Sequence, residues 1–283
     1  TVEDEGPKSF EIRSTEGVSH TLEGTYHLSN LLQELVIQKQ QSKTVAEISL
    51  TNLEELPVNR VSRMIREYYW NGLTRRMDKS GIEALIADTK NDSLTAEVLP
   101  VYVPASDSFA FRYYQDLEQS LPIKAVMLPK EISPEYVKSI NDQPGILSLK
   151  LKQQDDEVTG VPFVVPGGRF NEMYGWDSYF EAVGLICDGR IDLAKAMADN
   201  FQYQIEHYGK ILNANRSYYL TRTQPPFLTS FIRAVFQANT NTDLAWLERS
   251  LRAAIKEYTS VWMVPGQRLT PTGLNRYFAQ GIG

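Results

Sequence analysis

Over residues 178–262 apolar side chains return every three or four positions in four successive runs, the first two of them closed by a glycine. That spacing lays one apolar stripe along a helix and is incompatible with a two-residue strand period. The first run, 178–187, stops at Asp188-Gly189 and opens on Ser178 with Glu181 three residues later, a capping-box spacing. The second, 191–208, stops at Gly209, a residue that tolerates the left-handed backbone of a helix end. The third is predicted over 225–238, with Pro225-Pro226 in its first turn. The fourth is predicted over 243–262 behind Thr242 as N-cap, with Leu244, Leu247, Leu251, Ala254, Ile255, Tyr258 and Val261 on one face. Four helices in two antiparallel hairpins have a geometric consequence. The loops leading into the first helix of each pair, 160–177, 209–224 and 263–283, converge on one end of the stack.

Upstream, the same period predicts a helix over 28–38 with Leu28, Leu31, Leu32, Leu35 and Val36 facing the core. Another is predicted over 57–77, opened by Pro57 and burying Val61, Met64, Ile65, Tyr68, Tyr69, Leu73 and Met77. Arg60, Arg63, Arg66 and Arg76 fall on its other side and read as a solvated basic face. Residues 1–26 are polar and acidic, with no sustained period. Between 88 and 160 the pattern shortens: strands over 98–104, 124–129 and 145–151 alternate with helical pieces 108–119 and 134–140, an α+β insertion. The polar run 152–160 reads as a surface loop.

Several chemistries are excluded early. With 29 Lys+Arg against 35 Asp+Glu in 283 residues the net charge is −6, which disfavours a nucleic-acid binder. No apolar run reaches about 18 residues, so no membrane span is expected, and 1–8 lacks the basic start and apolar core of a secretory signal. Cys187 stands alone, which rules out an internal disulfide or a paired-cysteine metal site and points to a reducing compartment. His20, His27 and His207 show no zinc-ligand spacing, and no nucleophile elbow or phosphate-binding glycine loop occurs. Asn91 and Asn215 begin glycosylation triplets of a kind that chance supplies often.

The two loops before helices carry the unusual residues. The first, VPGGRFNEMYGWDSYF over 165–180, presents Arg169 after a Gly-Gly turn and places Trp176 and Asp177 at a helix entrance. An aromatic face covers the C–H side of a pyranose, while a guanidinium and a carboxylate hydrogen-bond its hydroxyls. The second, NANRSYYLTRTQPPF over 213–227, offers Asn213, Arg222, Thr223 and Gln224, held extended because Pro225 disfavours helix before it. In either loop alone, turn formation and helix capping account for the residues equally well; two such loops on one face favour a polar-ligand pocket.

PGGRFNEMYGWDSY (166–179) matches the trehalase signature PGGRFxExYxWDxY at every specified position, and the second loop resembles a further block of that family. Similarity to fungal cytosolic neutral trehalases extends through GTYHLSNLLQEL (24–35) and PVNRVSR (57–63). The resemblance implies a mainly α fold, an (α/α)6 barrel of glycoside hydrolase type, incomplete here, cleaving α,α-trehalose to two glucoses with inversion. It implies Arg169, Trp176, Asp177, Asn213, Arg222, Gln224 and, more weakly, Thr223 as substrate-binding residues. Inversion needs two carboxyl groups roughly 6.5–9.5 Å apart. In the family both come from segments after the point matching Gly283, so neither Glu172 nor Asp177 is assigned as acid or base, and this stretch alone is expected to be inactive. The expected division is 1–23, following a calcium-loop-like region, and 24–283, the N-terminal portion of the catalytic domain. Asp4 matches the last position of that calcium loop; one carboxylate does not build a site for an ion that takes 6–8 oxygens. Calcium and 14-3-3 proteins are implied as regulators of a longer cytoplasmic protein, with no cofactor for the chemistry. The rival readings are another helical-barrel glycosidase and a non-catalytic sugar-binding domain.

Overall fold

A computed structural model describes residues 9–41, 45–88, 98–240 and 243–279. Asp4, Asn91 and Thr242 lie outside them. The chain divides into two compact units, Thr1–Tyr69 and Trp70–Gly283, whereas the sequence reading divides it at 23 and 24.

In the first unit, strand β1 (Ser9–Arg13) pairs antiparallel with β2 (Ser19–Glu23), followed by helices α1 (Gly24–Gln40), α2 (Leu50–Leu53) and α3 (Pro57–Met64), the last continued by a π-helical turn, Ile65–Tyr69. The 28–38 helix occurs where the period placed it, whereas the one expected over 57–77 stops at Gly72 and gives way to a strand at Thr74–Arg75, and the buried faces differ as well. On α1 the buried residues are Asn30, Glu34 and Ile37, while Leu32, Leu35 and Val36 are exposed. On α3, Arg60 is buried and Val61 exposed. The cause is an ion-pair cluster: Arg60 and Arg63 donate to Glu34 at 3.0 and 2.9 Å, and Arg63 also donates to Glu55 at 2.9 Å. Burial pushes the Glu34 carboxyl up, but the hydrogen bonds and charges of Arg63 and Arg60 outweigh it and hold the group below its usual value. Arg60 and Arg63 therefore are not a solvated face. Arg66 and Arg76 remain exposed as expected.

The second unit begins with the short α4 (Trp70–Gly72), strand β3 (Thr74–Arg75) and α5 (Lys79–Ala87). A βαβαβ segment follows: β4 (Leu99–Val103), α6 (Ser108–Leu117), β5 (Ile123–Met127), α7 (Pro134–Ser139) and β6 (Ile146–Leu147). β4 pairs parallel with both others, giving the order β5-β4-β6. The 152–160 run is not a loop: β7 (Leu151–Gln154) and β8 (Glu157–Gly160) form an antiparallel hairpin turned by Asp155-Asp156, with Asp155 at φ +53°. β9 (Phe163–Val164) then returns to pair with β3.

Four helices complete the unit: α8 (Asp177–Cys187), α9 (Ile191–His207), α10 (Leu228–Ala238) and α11 (Leu244–Glu257), the last extended by a π-helical turn, Tyr258–Trp262. α8 packs on α9 and α10, and α11 on α9 and α10. Gly209 follows α9 at φ +77°, as its role required. Three details depart from expectation. Pro225 and Pro226 precede α10 instead of starting it, because Gln224 is fastened to the preceding loop. Asp243 caps α11, accepting from the Trp246 N–H at 2.9 Å. The Ser178 hydroxyl donates back to the Tyr174 carbonyl at 2.6 Å and the Glu181 carboxylate meets no backbone donor, so no capping box forms.

The sheet and the helices share a core. Tyr102, Leu128, Val137 and Leu147 pack with Tyr203, Tyr208, Leu212 and Leu220, which bind the βαβαβ segment to α9 and to the loop beyond it.

Candidate functional site

The loop before α8 is anchored from below. Glu172, buried, receives the Arg216 guanidinium at 2.6 Å, and beside it the buried Asn215 side chain accepts from the Met173 N–H at 2.8 Å and donates to the Leu147 carbonyl at 3.1 Å. Asn215 is wholly enclosed, which removes it as a glycosylation acceptor. Above this anchor the two loops join backbone to backbone: Tyr174 bridges Ala214 and Gly175 N–H donates to the Asn213 carbonyl at 3.1 Å, while within the second loop Asn213 N–H donates to the Arg222 carbonyl at 3.0 Å.

Gln224 closes the join. Its carboxamide oxygen accepts from the Trp176 N–H at 2.7 Å, and its amide lies 3.5 Å from the Asp177 carboxylate, a loose contact. Glycine at 175 makes this possible, since a Cβ there would stand 2.8 Å from that same oxygen and 3.1 Å from the Leu212 carbonyl. The third loop reaches the second through the Tyr277 hydroxyl, which donates to the Thr223 carbonyl.

Of the residues singled out from sequence, Trp176, Asp177, Asn213, Arg222, Thr223 and Gln224 are drawn together by these bonds. Trp176 is 41% exposed, its ring 6.2 Å from Phe180 and 6.4 Å from Phe227, so one face of an aromatic cluster is open to a ligand. Asn213 and Arg222 are partly exposed. The Thr223 hydroxyl is sealed from solvent without a partner, which sets it behind the open surface. Arg169 is exposed with its guanidinium 4.9 Å over the Phe170 ring; the structure gives it no bond to the second loop.

Sequence reasoning did not single out Glu181 as a site residue. One helical turn beyond Asp177, it has both carboxylate oxygens cut off from solvent and from any donor. Burial, with the Asp177 carboxylate nearby, pushes it up to about 8. The i, i+4 spacing to Asp177 was the available signal. Glu257, buried beside Pro225 and Pro226, is pushed up by burial to about 7. Among the described residues no three His, Cys, Asp or Glu side chains gather as metal ligands, and Asp4 lies outside them.

The trehalase family model matches residues 38–283. The chain belongs to the trehalase family. It is 47% identical to a cytosolic neutral trehalase of Emericella nidulans, an alignment covering 100% of this chain and 39% of that one, and 45% identical to a probable trehalase of Eremothecium gossypii, covering 100% and 40%. It thus spans about 40% of the length of the curated trehalases it matches. Its fold matches neutral trehalase Nth1 from Saccharomyces cerevisiae at TM-score 0.75 and 45% identity, over 81% of this chain and 44% of that one. The trehalase signature therefore occupies the first loop of a mainly helical trehalase fold.

Proposed function

We propose that this chain forms one part of the sugar-binding wall of an α,α-trehalase that releases two glucoses with inversion, within an (α/α)6 barrel. The observation that carries the reading is the Gln224 clasp: one amide holds the Trp176 backbone and faces the Asp177 carboxylate, so an aromatic platform and a charged acceptor from one loop are set against Asn213 and Arg222 of the other. Trp176 stacks on a pyranose; Asp177, Asn213, Arg222 and Arg169 pair its hydroxyls, while Gln224 positions them and Thr223 supports the loop. A site that pairs each hydroxyl rejects analogues lacking one, because its own polar groups are then left unpaired.

The general acid and base lie outside residues 1–283 in this reading. Glu181 has the protonation state of an acid at neutral pH, but its oxygens are shut away from any substrate oxygen. The relatives named cytosolic support a cytoplasmic location; calcium, at a site including Asp4, and 14-3-3 proteins act as regulators of the longer protein, and the hydrolysis uses no cofactor. The test is calorimetric titration of the chain and of Arg222→Ala with trehalose and maltose, beside glucose release. The expected result is weak trehalose binding, reduced roughly tenfold or more in Arg222→Ala by loss of a charge-assisted hydrogen bond, with no glucose released. Turnover by the chain alone would overturn the placement of the catalytic pair. Preference for maltose would favour a different helical-barrel glycosidase.

A further inference from the structure

The βαβαβ segment has a feature the sugar site does not use. Because β4 lies between β5 and β6, the chain leaves β4 toward one flank through α6 and returns to the other through α7. Ligands of open α/β sheets bind outside the carboxyl ends of the strands at such a reversal. A cleft of about 540 Å³ stands at this place, within the usual volume range of small-molecule sites.

Its walls divide by chemistry. Asp107 and Phe109, following β4, and Lys150 and Leu151, following β6, form one side. Arg249, Arg252, Ala253 and Lys256 line another, spaced three and four residues apart so that three cations of α11 share one helix face. The cleft thus carries four permanent cations against the carboxylates of Asp107 and Glu206, in a chain whose net charge is −6. Asp107 is already engaged on both oxygens, by the Ala110 N–H at 2.9 Å and the Tyr203 hydroxyl at 2.8 Å. Lys150 lies 3.7 Å from the largely buried Asp199, and Arg252 lies 2.6 Å from the exposed Glu248, a pair in solvent that a stronger anion displaces. Lys256 reaches the Glu206 carbonyl at 3.5 Å. The His207 imidazole packs against Tyr203 with ring centres 4.3 Å apart and planes tilted by 38°, and burial lowers its pKa. Phe109, Leu151 and Ile205 add an apolar wall, and Gln202, whose amide donates to the Ser250 hydroxyl at 2.8 Å, completes the lining.

We propose that this cleft binds a small phosphomonoester, its phosphate held by Arg249, Arg252 and Lys256 and its organic body laid against Phe109, Leu151 and the His207–Tyr203 pair. Guanidinium pairs match phosphate geometry bidentately, and the apolar wall gives a body attached to the phosphate something to bury. The site shares no lining residue with the sugar-binding loops.

The test is calorimetric titration of the 283-residue chain at low salt with glucose 6-phosphate, adenosine monophosphate, inorganic phosphate and glucose. At least one ester is expected to bind more tightly than inorganic phosphate, glucose not to bind, and the ester affinity to fall roughly tenfold or more in Arg249→Gln/Arg252→Gln. Both arginines are exposed, so circular dichroism and Tm should not change. The two esters distinguish a sugar from a nucleoside body. Absence of ester binding at millimolar concentration, equal affinity for inorganic phosphate, or undiminished binding in the double variant would each overturn the proposal.

Discussion

Burying a carboxyl group with no donor in reach costs far more when it is charged than when it is protonated, and Glu181 is such a group. Its folded pKa is raised from 4.5 to about 8, so the folded chain keeps a proton that the unfolded chain has released over that window. The folded state binding more protons means stability falls as pH rises from about 4.5 to 8 and then levels off, by on the order of a few kcal/mol in all. Glu181→Gln, which cannot ionise, is expected to flatten the decline of Tm between pH 5 and 8.5; Glu257, pushed to about 7, keeps a smaller slope in the variant. Parallel Tm profiles for parent and variant would refute the assignment. At this scale the sequence was readable where chemistry is contiguous: PGGRF through WDSY named Trp176 and Asp177 without a fold. It was not readable where a partner is distant. Nothing local to Arg60 reveals Glu34, 26 residues away, so a buried cation read as a solvated one.

Elements were legible in position and less so in orientation. Counting every three or four residues assumes an unbroken helix, but π-helical turns at Ile65–Tyr69 and Tyr258–Trp262 bond five residues apart and rotate everything after them. The 57–77 stripe was counted straight through one such turn and through the end of α4. Convergence of the loops followed from hairpin geometry alone, whereas the device that locks them did not. Glu172 and Arg216 lie 44 residues apart, and their buried pair at 2.5–2.6 Å ties the first loop to the second. Arg216→Met leaves Glu172 buried without its counter-charge and should cost about 3–5 kcal/mol, whereas Glu172→Gln/Arg216→Met should cost less than the two single changes summed. A double-mutant cycle by urea unfolding checks it; additive losses would show that the pair is not coupled.

At the scale of the whole molecule, most of the stripe expected as the core face of α11 lies outside: Val261 is buried and Leu247 and Ala254 are half-buried, but its other four residues are exposed. Leu244, Leu251, Ile255 and Tyr258 are 65%, 55%, 53% and 56% exposed, while Trp246, Ser250 and Glu257 are buried instead. Asp243 caps the helix at 2.9 Å and ion-pairs with Lys195 at 2.8 Å, and the Trp246 indole donates to Asp199 at 2.8 Å, which rotates α11 so that its polar-flanked tryptophan points inward. Phe180 and Val183 of α8 are likewise exposed. Each such side chain gains about 1.5–3 kcal/mol on full burial, and contiguous apolar surface of this kind marks contact sites. The 283-residue chain should therefore self-associate as concentration rises, and Leu251→Lys/Ile255→Lys should shift it toward monomer with its helix content unchanged. Sedimentation velocity over a hundredfold concentration range reads this directly. A parent chain that sediments as a monomer throughout would mean that the exposed stripe is too interrupted by Glu248, Arg252 and Lys256 to act as a contact surface.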